Sequence, residues 1–235
     1  MTCANKECPF FVTRKGNDGP SNNNEHCLVC DSVKQVRFSK GDILFSQNEP
    51  SCCVYALTSG IVKLCDVSPS GDEQIVGFSS PHKLMVGLRS LSNDTYSDSA
   101  IAETEVTACK IRKRALLTAV TREPEVAVRL IDAINSQLSM SRELMRVTEH
   151  HGARSKIAAF LNLVVPQLNG GGDRVEFPFS RSEMAGLLSL SEETVCRQMA
   201  VLKREGILYA PRGHIEIKDW ERLRDIADEA SVRIQ

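Results

Sequence analysis

The 235-residue sequence predicts an α+β chain: strands in its first half, one long helix, and a winged helix-turn-helix near its end. Three observations predict it. Short apolar runs broken by turn signals fill residues 33–123, and no glycine or further proline interrupts the stretch from Pro124 to His151. Residues 180–217 then hold two short helical patterns, a tight turn and a hairpin pattern.

The strand region comes first. QVRF, DILF, VYAL, IVKLCDV, EQIVGF and VTACKI are the candidate strands, divided by KGD (40–42), SG (59–60), PSGD (69–72) and SND (92–94). Strands at that spacing form a sandwich or barrel. Ahead of them, residues 13–26 are polar and rich in Gly, Asn and Ser, which reads as a loop between two cysteine pairs. The domains expected are a Cys-rich segment 1–32, a strand domain 33–123, a long helix 124–151 and a winged helix-turn-helix 152–235.

On the long helix Ala127, Ile131, Ile134, Leu138, Ser141, Met145 and Thr148 recur at alternating spacings of four and three, a heptad-like seam. Such a seam either packs on the strand domain or joins two copies of the chain, with Ile131, Ile134, Leu138, Ser141 and Met145 as the contact set. RSKIAAFLNLVVPQL forms the next helix, interrupted at Pro166, and VEFPF is a short strand.

Ser182–Leu188 and Glu192–Glu205 are the two helices of the helix-turn-helix, the second ending at Gly206. Met184, Ala185, Leu188, Leu190, Val195, Met199 and Leu202 supply the packing between them. Glu193, Cys196 and Arg197 lie on one face at spacings of three and four, placed to reach base edges, with Ser191 and Thr194 beside them. Lys203, Arg204 and Arg212 follow as phosphate-neutralising cations. ILYAPRGHIEI completes the wing.

Composition narrows the alternatives. The chain is 42% hydrophobic and 25% charged with a net charge of −1, so any nucleic-acid contact comes from a local patch. No apolar run spans a bilayer and the first residues lack a signal-peptide pattern, so a cytoplasmic chain is expected. No phosphate loop, nucleophile elbow or HExxH occurs, and the five histidines lack metal spacing, which argues against an enzyme.

Together KGDILF, YALTSG, SGDEQIVGF, TEVTACKI and EETVCRQMAVLKREGIL resemble the CRP/FNR family of bacterial transcription regulators over roughly residues 33–217. The resemblance implies a cyclic-nucleotide-binding-like β-roll (jelly roll), a dimerisation helix and a recognition helix. It also implies a homodimer, an RNA polymerase partner, and a palindromic double-stranded DNA site with TGA-containing half-sites. Glu193 and Arg197 match the outer positions of the family's E-x-x-[SG]-R pattern, where Glu accepts from cytosine N4 and Arg donates to guanine. Cys196 stands at its middle position. It is either a small neutral residue tolerated there or a thiol whose oxidation to sulfinate would repel phosphate.

Cyclic-nucleotide members of that family use Gly-Glu and Arg-Ser/Thr pairs. Here VGLRSL has no Glu after Gly87, and YSDSA puts Asp98 at the arginine position, where a carboxylate repels phosphate. Nine cysteines point to another signal. Cys109 resembles the fourth ligand of the FNR-like iron–sulfur oxygen-sensing subgroup, the closest subgroup. Cys27, Cys30, Cys8 and Cys3 are the other candidate ligands of a 4Fe-4S cluster, though Cys8 and Cys27 are separated by eighteen intervening residues where that subgroup clusters its ligands. Cys3, Cys8, Cys27 and Cys30 also form C-x4-C-x18-C-x2-C, a spacing suited to structural zinc.

Overall fold

Alternation along two strands organises the N-terminal half. In a computed structural model describing residues 11–15, 23–27, 33–68, 73–81, 85–168 and 174–228, strand β5 (Cys53–Ser59) is buried on both faces. Cys53, Tyr55 and Leu57 enter one apolar cluster, and Val54 and Ala56 enter another. Strand β10 (Val106–Arg112) divides likewise: Val106 and Ala108 join the first cluster, Cys109 and Ile111 the second. A two-residue period with both faces apolar is the signature of a strand covered on both sides.

The covering layers follow. Strands β3 (Val33–Phe38), β10, β5 and β8 (Met85–Val86) form one antiparallel sheet in the order β3-β10-β5-β8. The order β4-β9-β6-β7 makes the second, from Ile43–Phe45, Ser99–Ala102, Val62–Val67 and Glu73–Ser79. The first cluster draws Leu44, Phe45, Val62, Ala100 and Ala102 from this sheet, so it fills the space between the two sheets. At the β5–β6 turn Gly60 has φ +84, and a Cβ there would lie 2.2 Å from the Glu105 carbonyl, so only glycine fits.

All six predicted strands are present. Strands β8 and β9 were not legible, since β9 reads only SAIA, and helix α1 (Lys113–Arg122) was also not anticipated. The polar stretch read as a loop instead holds strands β1 (Phe11–Lys15) and β2 (Asn23–Cys27), paired antiparallel with Phe11 opposite Cys27. A hairpin ladder satisfies backbone groups without requiring apolar side chains.

Helix α2 (Pro124–Glu149) runs 26 residues. The chain forms two compact units, residues 1–138 and 139–235, whose boundary falls inside it. In the first unit Val126, Leu130 and Ala133 pack into the second cluster on the outer face of β5 and β10, with Leu116 of α1. Gln137 adds a hydrogen bond from Nε2 to the Met85 carbonyl at 2.6 Å.

In the second unit α3 (Ala153–Leu168) is the central helix, with Ile157, Phe160, Leu161 and Val164 fully buried. It was expected to break at Pro166 but continues to Leu168: a proline in the last turn removes one hydrogen bond, and the buried stripe outweighs that loss. Helix α6 (Trp220–Asp228) packs on it through Leu223, Ile226 and Ala227. Strand β11 (Arg174–Glu176), β12 (Leu208–Tyr209) and β13 (His214–Ile217) form a small sheet in the order β11-β13-β12.

Candidate functional site

Two helices joined at Ser189 form the candidate reading head. Helix α4 (Arg181–Leu188) begins with a capping box: the Ser180 hydroxyl accepts from the Glu183 amide at 3.2 Å, and the Glu183 carboxylate accepts from the Ser180 amide at 2.8 Å. The helix ends at Ser189, a left-handed residue with φ 54, which turns the chain into α5 (Glu192–Arg204). Ser191 caps α5 by accepting from the Thr194 amide at 3.2 Å, and its hydroxyl shares a 2.8 Å hydrogen bond with that of Thr194. The two predicted contact residues therefore fix the start of the helix and keep Ser191 at its exposed end.

One face of α5 is committed to packing, since Val195, Met199 and Leu202 are buried together with Met184, Ala185 and Leu188 of α4. The other face carries Glu193, Cys196, Arg197, Lys203 and Arg204, all exposed. Among the described residues Glu193, Arg197 and Arg212 make no ion pair. Exposed groups of opposite charge that ignore one another are available to a ligand. Lys203 lies over the ring of Tyr209 with its Nζ 5.6 Å from the centroid, which ties it to the wing, while Arg212 is exposed in the β12–β13 turn beside Gly213.

Sequence reasoning missed Arg181. It occupies the first turn of α4, half-buried, with Nη1 3.6 Å from the Met184 sulfur, and burial lowers its pKa while nearby Cys196 opposes that shift. The S-x-x-E capping box at 180–183 was the available signal, because it starts the helix one residue earlier than the composition suggested. With Phe177, Phe179, Arg212 and His214, Arg181 lines a cavity of about 240 Å³ between the start of α4 and the wing.

The seam of α2 lies on a face distinct from the packed one. Ile131, Ile134, Leu138 and Met145 are 57, 44, 46 and 65% exposed, and Ser141 is exposed between them. Val126, Leu130 and Ala133 face the strand domain instead. At about 100° per residue the exposed row lies roughly a quarter-turn from the buried one. Within the chain, then, the seam is not what covers the sheet.

At the position of a cyclic-nucleotide site, Gly87 is left-handed at φ 88 and leads into a short 3-10 turn, Leu88–Ser90. Leu88, where the family's glutamate would stand, is buried in the second cluster. Asp98 is 1% exposed and accepts from Arg89 Nη1 at 3.1 Å. Burial raises its pKa, and the Arg89 charge and hydrogen bond partly oppose that. Beside it Phe45 and Tyr96 stack at 3.8 Å, and the Tyr96 hydroxyl donates to the Cys53 carbonyl at 2.7 Å and accepts from its amide at 3.2 Å. Burial pushes the Tyr55 phenol up to about 12 and Tyr96 higher still. Buried aromatic rings and the Asp98–Arg89 pair, its arginine half-exposed, occupy this stretch.

Among the candidate metal ligands, Cys3, Cys8 and Cys30 lie outside the described residues, and Cys27 ends β2. Cys109 is 3% exposed in the cluster that holds Val54, Met85 and Leu88 with Val126 and Leu130 of α2. Among the described residues no three His, Cys, Asp or Glu side chains converge on one point. Thiolates are the donors that a four-iron cluster takes, so the donor chemistry fits, with Cys109 the only candidate whose surroundings are described.

A sandwich joined by a long helix to a winged helix-turn-helix with an exposed, unpaired reading face defines a DNA-binding regulator class. Residues 35–123 match the cyclic nucleotide-binding domain, and residues 155–226 match the Crp-like helix-turn-helix domain. The chain belongs to the CRP/FNR family of transcription regulators, a family of regulators rather than enzymes. It is 30% identical over 197 residues to the nitrogen fixation regulation protein FixK of Bradyrhizobium diazoefficiens, covering 83% of this chain and 82% of that one. It is 29% identical to the transcriptional activatory protein AadR of Rhodopseudomonas palustris, covering 90% and 87%. The transcriptional activator protein FnrL of Cereibacter sphaeroides is 27% identical, with 96% of each chain covered. In fold the chain is similar to FixK2 from Bradyrhizobium japonicum, with a TM-score of 0.73 at 23% identity over 83% of this chain and 96% of that one. Among the described residues no helix is long and apolar enough to cross a membrane.

Proposed function

We propose that this chain is a homodimeric, cytoplasmic transcription activator that binds a palindromic DNA site with TGA-containing half-sites and works with RNA polymerase. One observation carries the reading: Glu193, Cys196 and Arg197 stand exposed on a helix whose opposite face is buried, and neither charge is paired among the described residues. That is the arrangement a major-groove reader needs, with Glu193 accepting from cytosine and Arg197 donating to guanine. The exposed seam of α2 supports a second copy of the chain as its partner, which sets two reading helices about 34 Å apart.

The signal in this reading is oxygen or nitric oxide, acting at a 4Fe-4S cluster held by Cys109 and three of Cys3, Cys8, Cys27 and Cys30. When bound, the cluster supplies a gas-labile centre. Cys109 shares one buried cluster with Val126 and Leu130, so a change at its thiol reaches the proposed dimerisation helix through that cluster. The Asp98–Arg89 pair supports a signal other than a cyclic nucleotide, because an incoming phosphate would meet a buried carboxylate.

A second reading rests on the enclosure of Cys109 by aliphatic side chains, which suits a packing thiol. In that case Cys3, Cys8, Cys27 and Cys30 hold structural zinc, and the protein senses a small ligand or redox state. Protein purified without oxygen tests both. The cluster reading expects a brown protein with about four irons per chain that bleaches in air and changes its affinity for a palindromic duplex. A colourless protein with one zinc and air-insensitive binding would refute it in favour of the second.

A further inference from the structure

The first turn of α3 grips both helices of the reading head at their C-terminal ends. Arg154, two residues beyond Gly152 (φ +93), donates from Nη1 and Nη2 to the two carboxylate oxygens of Glu205 at 2.9 and 2.6 Å. Glu205 is the C-cap of α5. Lys156 donates from Nζ to the carbonyl of Leu188, the last residue of α4, at 3.4 Å. From the other side, Arg222 of α6 donates to the Glu205 carbonyl at 3.2 Å and places Nη2 3.7 Å from its carboxylate. One carboxylate thus stands between guanidiniums from two different helices.

Local helix stability does not account for Glu205. An acid at the C-terminal end opposes the helix dipole, so it costs local stability that the two guanidiniums must offset. The Arg154 hydrogen bonds, with the neighbouring positive charges, hold the carboxyl below its usual range. A two-pronged guanidinium–carboxylate pair also fixes direction as well as distance, which a single-point contact does not. Direction matters here because Glu193 lies twelve residues away, about 18 Å along the helix. A tilt of about 3° at the clamped end moves Glu193 by about 1 Å, enough to break a hydrogen bond to a base.

We infer that Arg154 and Glu205, backed by Arg222, are positioning residues for base readout: the clamp carries the placement of the α2–α3 junction to the far end of the reading helix. The inference rests on the DNA-binding reading proposed above. Its test measures binding of wild type, Arg154→Met, Glu205→Gln, Arg154→Lys and the Met/Gln double variant to a palindromic TGA-containing duplex and to a scrambled one. The single variants are expected to lose about tenfold on the palindrome, the size of a typical coupling between sites, with little change on the scrambled duplex. The double variant loses no more than Glu205→Gln alone, because that change already removes the partner of Arg154 together with that of Arg222. Arg154→Lys folds with its charge kept but loses the two-pronged grip, so it follows Arg154→Met in selectivity. Equal losses on both duplexes, or unchanged selectivity, would overturn the inference. A wild type that does not prefer the palindrome refutes the DNA reading instead.

Discussion

Replacing Arg197 with alanine separates base reading from simple charge attraction. The guanidinium is exposed and unpaired among the described residues, so truncation leaves no buried group unsatisfied and α5 keeps its packed stripe of Val195, Met199 and Leu202. A two-pronged contact to guanine contributes about 1–3 kcal/mol of discrimination, and a two-fold dimer makes it twice, giving about 2–6 kcal/mol. That corresponds to a loss of roughly 30-fold to 10⁴-fold in affinity for the palindrome. Fluorescence anisotropy would follow binding to the palindrome and to duplexes in which the contacted guanines are replaced. Wild type loses affinity on replacement, while the Arg197→Ala protein, already lacking the contact, loses little more. If the variant instead weakened every duplex alike and flattened the salt dependence by about one unit of slope per contact, Arg197 would be a phosphate contact and the assignment of base reader would fail.

Three further outcomes are expected. The double change Ile134→Glu and Leu138→Glu places charge on residues 44 and 46% exposed, so the folded chain sediments as a monomer with little change in Tm; by contrast Leu130→Ala, at 8% exposure, costs about 2–5 kcal/mol in urea unfolding. A dimer that survives the double change would remove the seam. Burial raises the folded-state pKa of Asp98, so the native state binds the proton more tightly and stability falls as pH rises through the window just above the ordinary carboxylate value. Asp98→Asn abolishes that contribution, and unfolding curves of both proteins across that window check the sign. Cys196→Ser exchanges one small exposed side chain for another and keeps DNA affinity within about threefold; a larger loss in the anisotropy assay would make the thiol a base contact in its own right.

The fold was legible wherever periodicity and burial coincide. Strand β5 announces itself because its large apolar residues recur at the period its environment imposes, while the α2 heptad was readable from periodicity alone. Strand β9 did not, since Ser99–Ala102 is small and gains its place from pairing with Ile43 and Val62 rather than from its own side chains. The seam of α2 was visible as a pattern, but which face met the sheet was not: Val126, Leu130 and Ala133 make an equally regular row, and only tertiary contact separates the two. In the reading head, residues on the exposed face of α5 could be named from spacing. Arg154 and Glu205 could not, because their placement depends on contacts between helices. The Asp98–Arg89 pair was half legible, as the charge reversal was readable from the sequence whereas the partner nine residues away was not.

Helix α2 gives one 26-residue element two obligations. From Val126 to Ala133 its inward row holds the strand domain, and the adjacent exposed row is the one proposed to meet a second copy, so about half the circumference of that stretch is spoken for. Substitutions should therefore be accepted on the remaining arc, around Asp132, Ser136 and Ser139, and rejected almost everywhere else. A saturation library of this helix would show a stripe of tolerance winding along one side, its width measuring how closely packing on the strand domain and the proposed dimer contact are bound together.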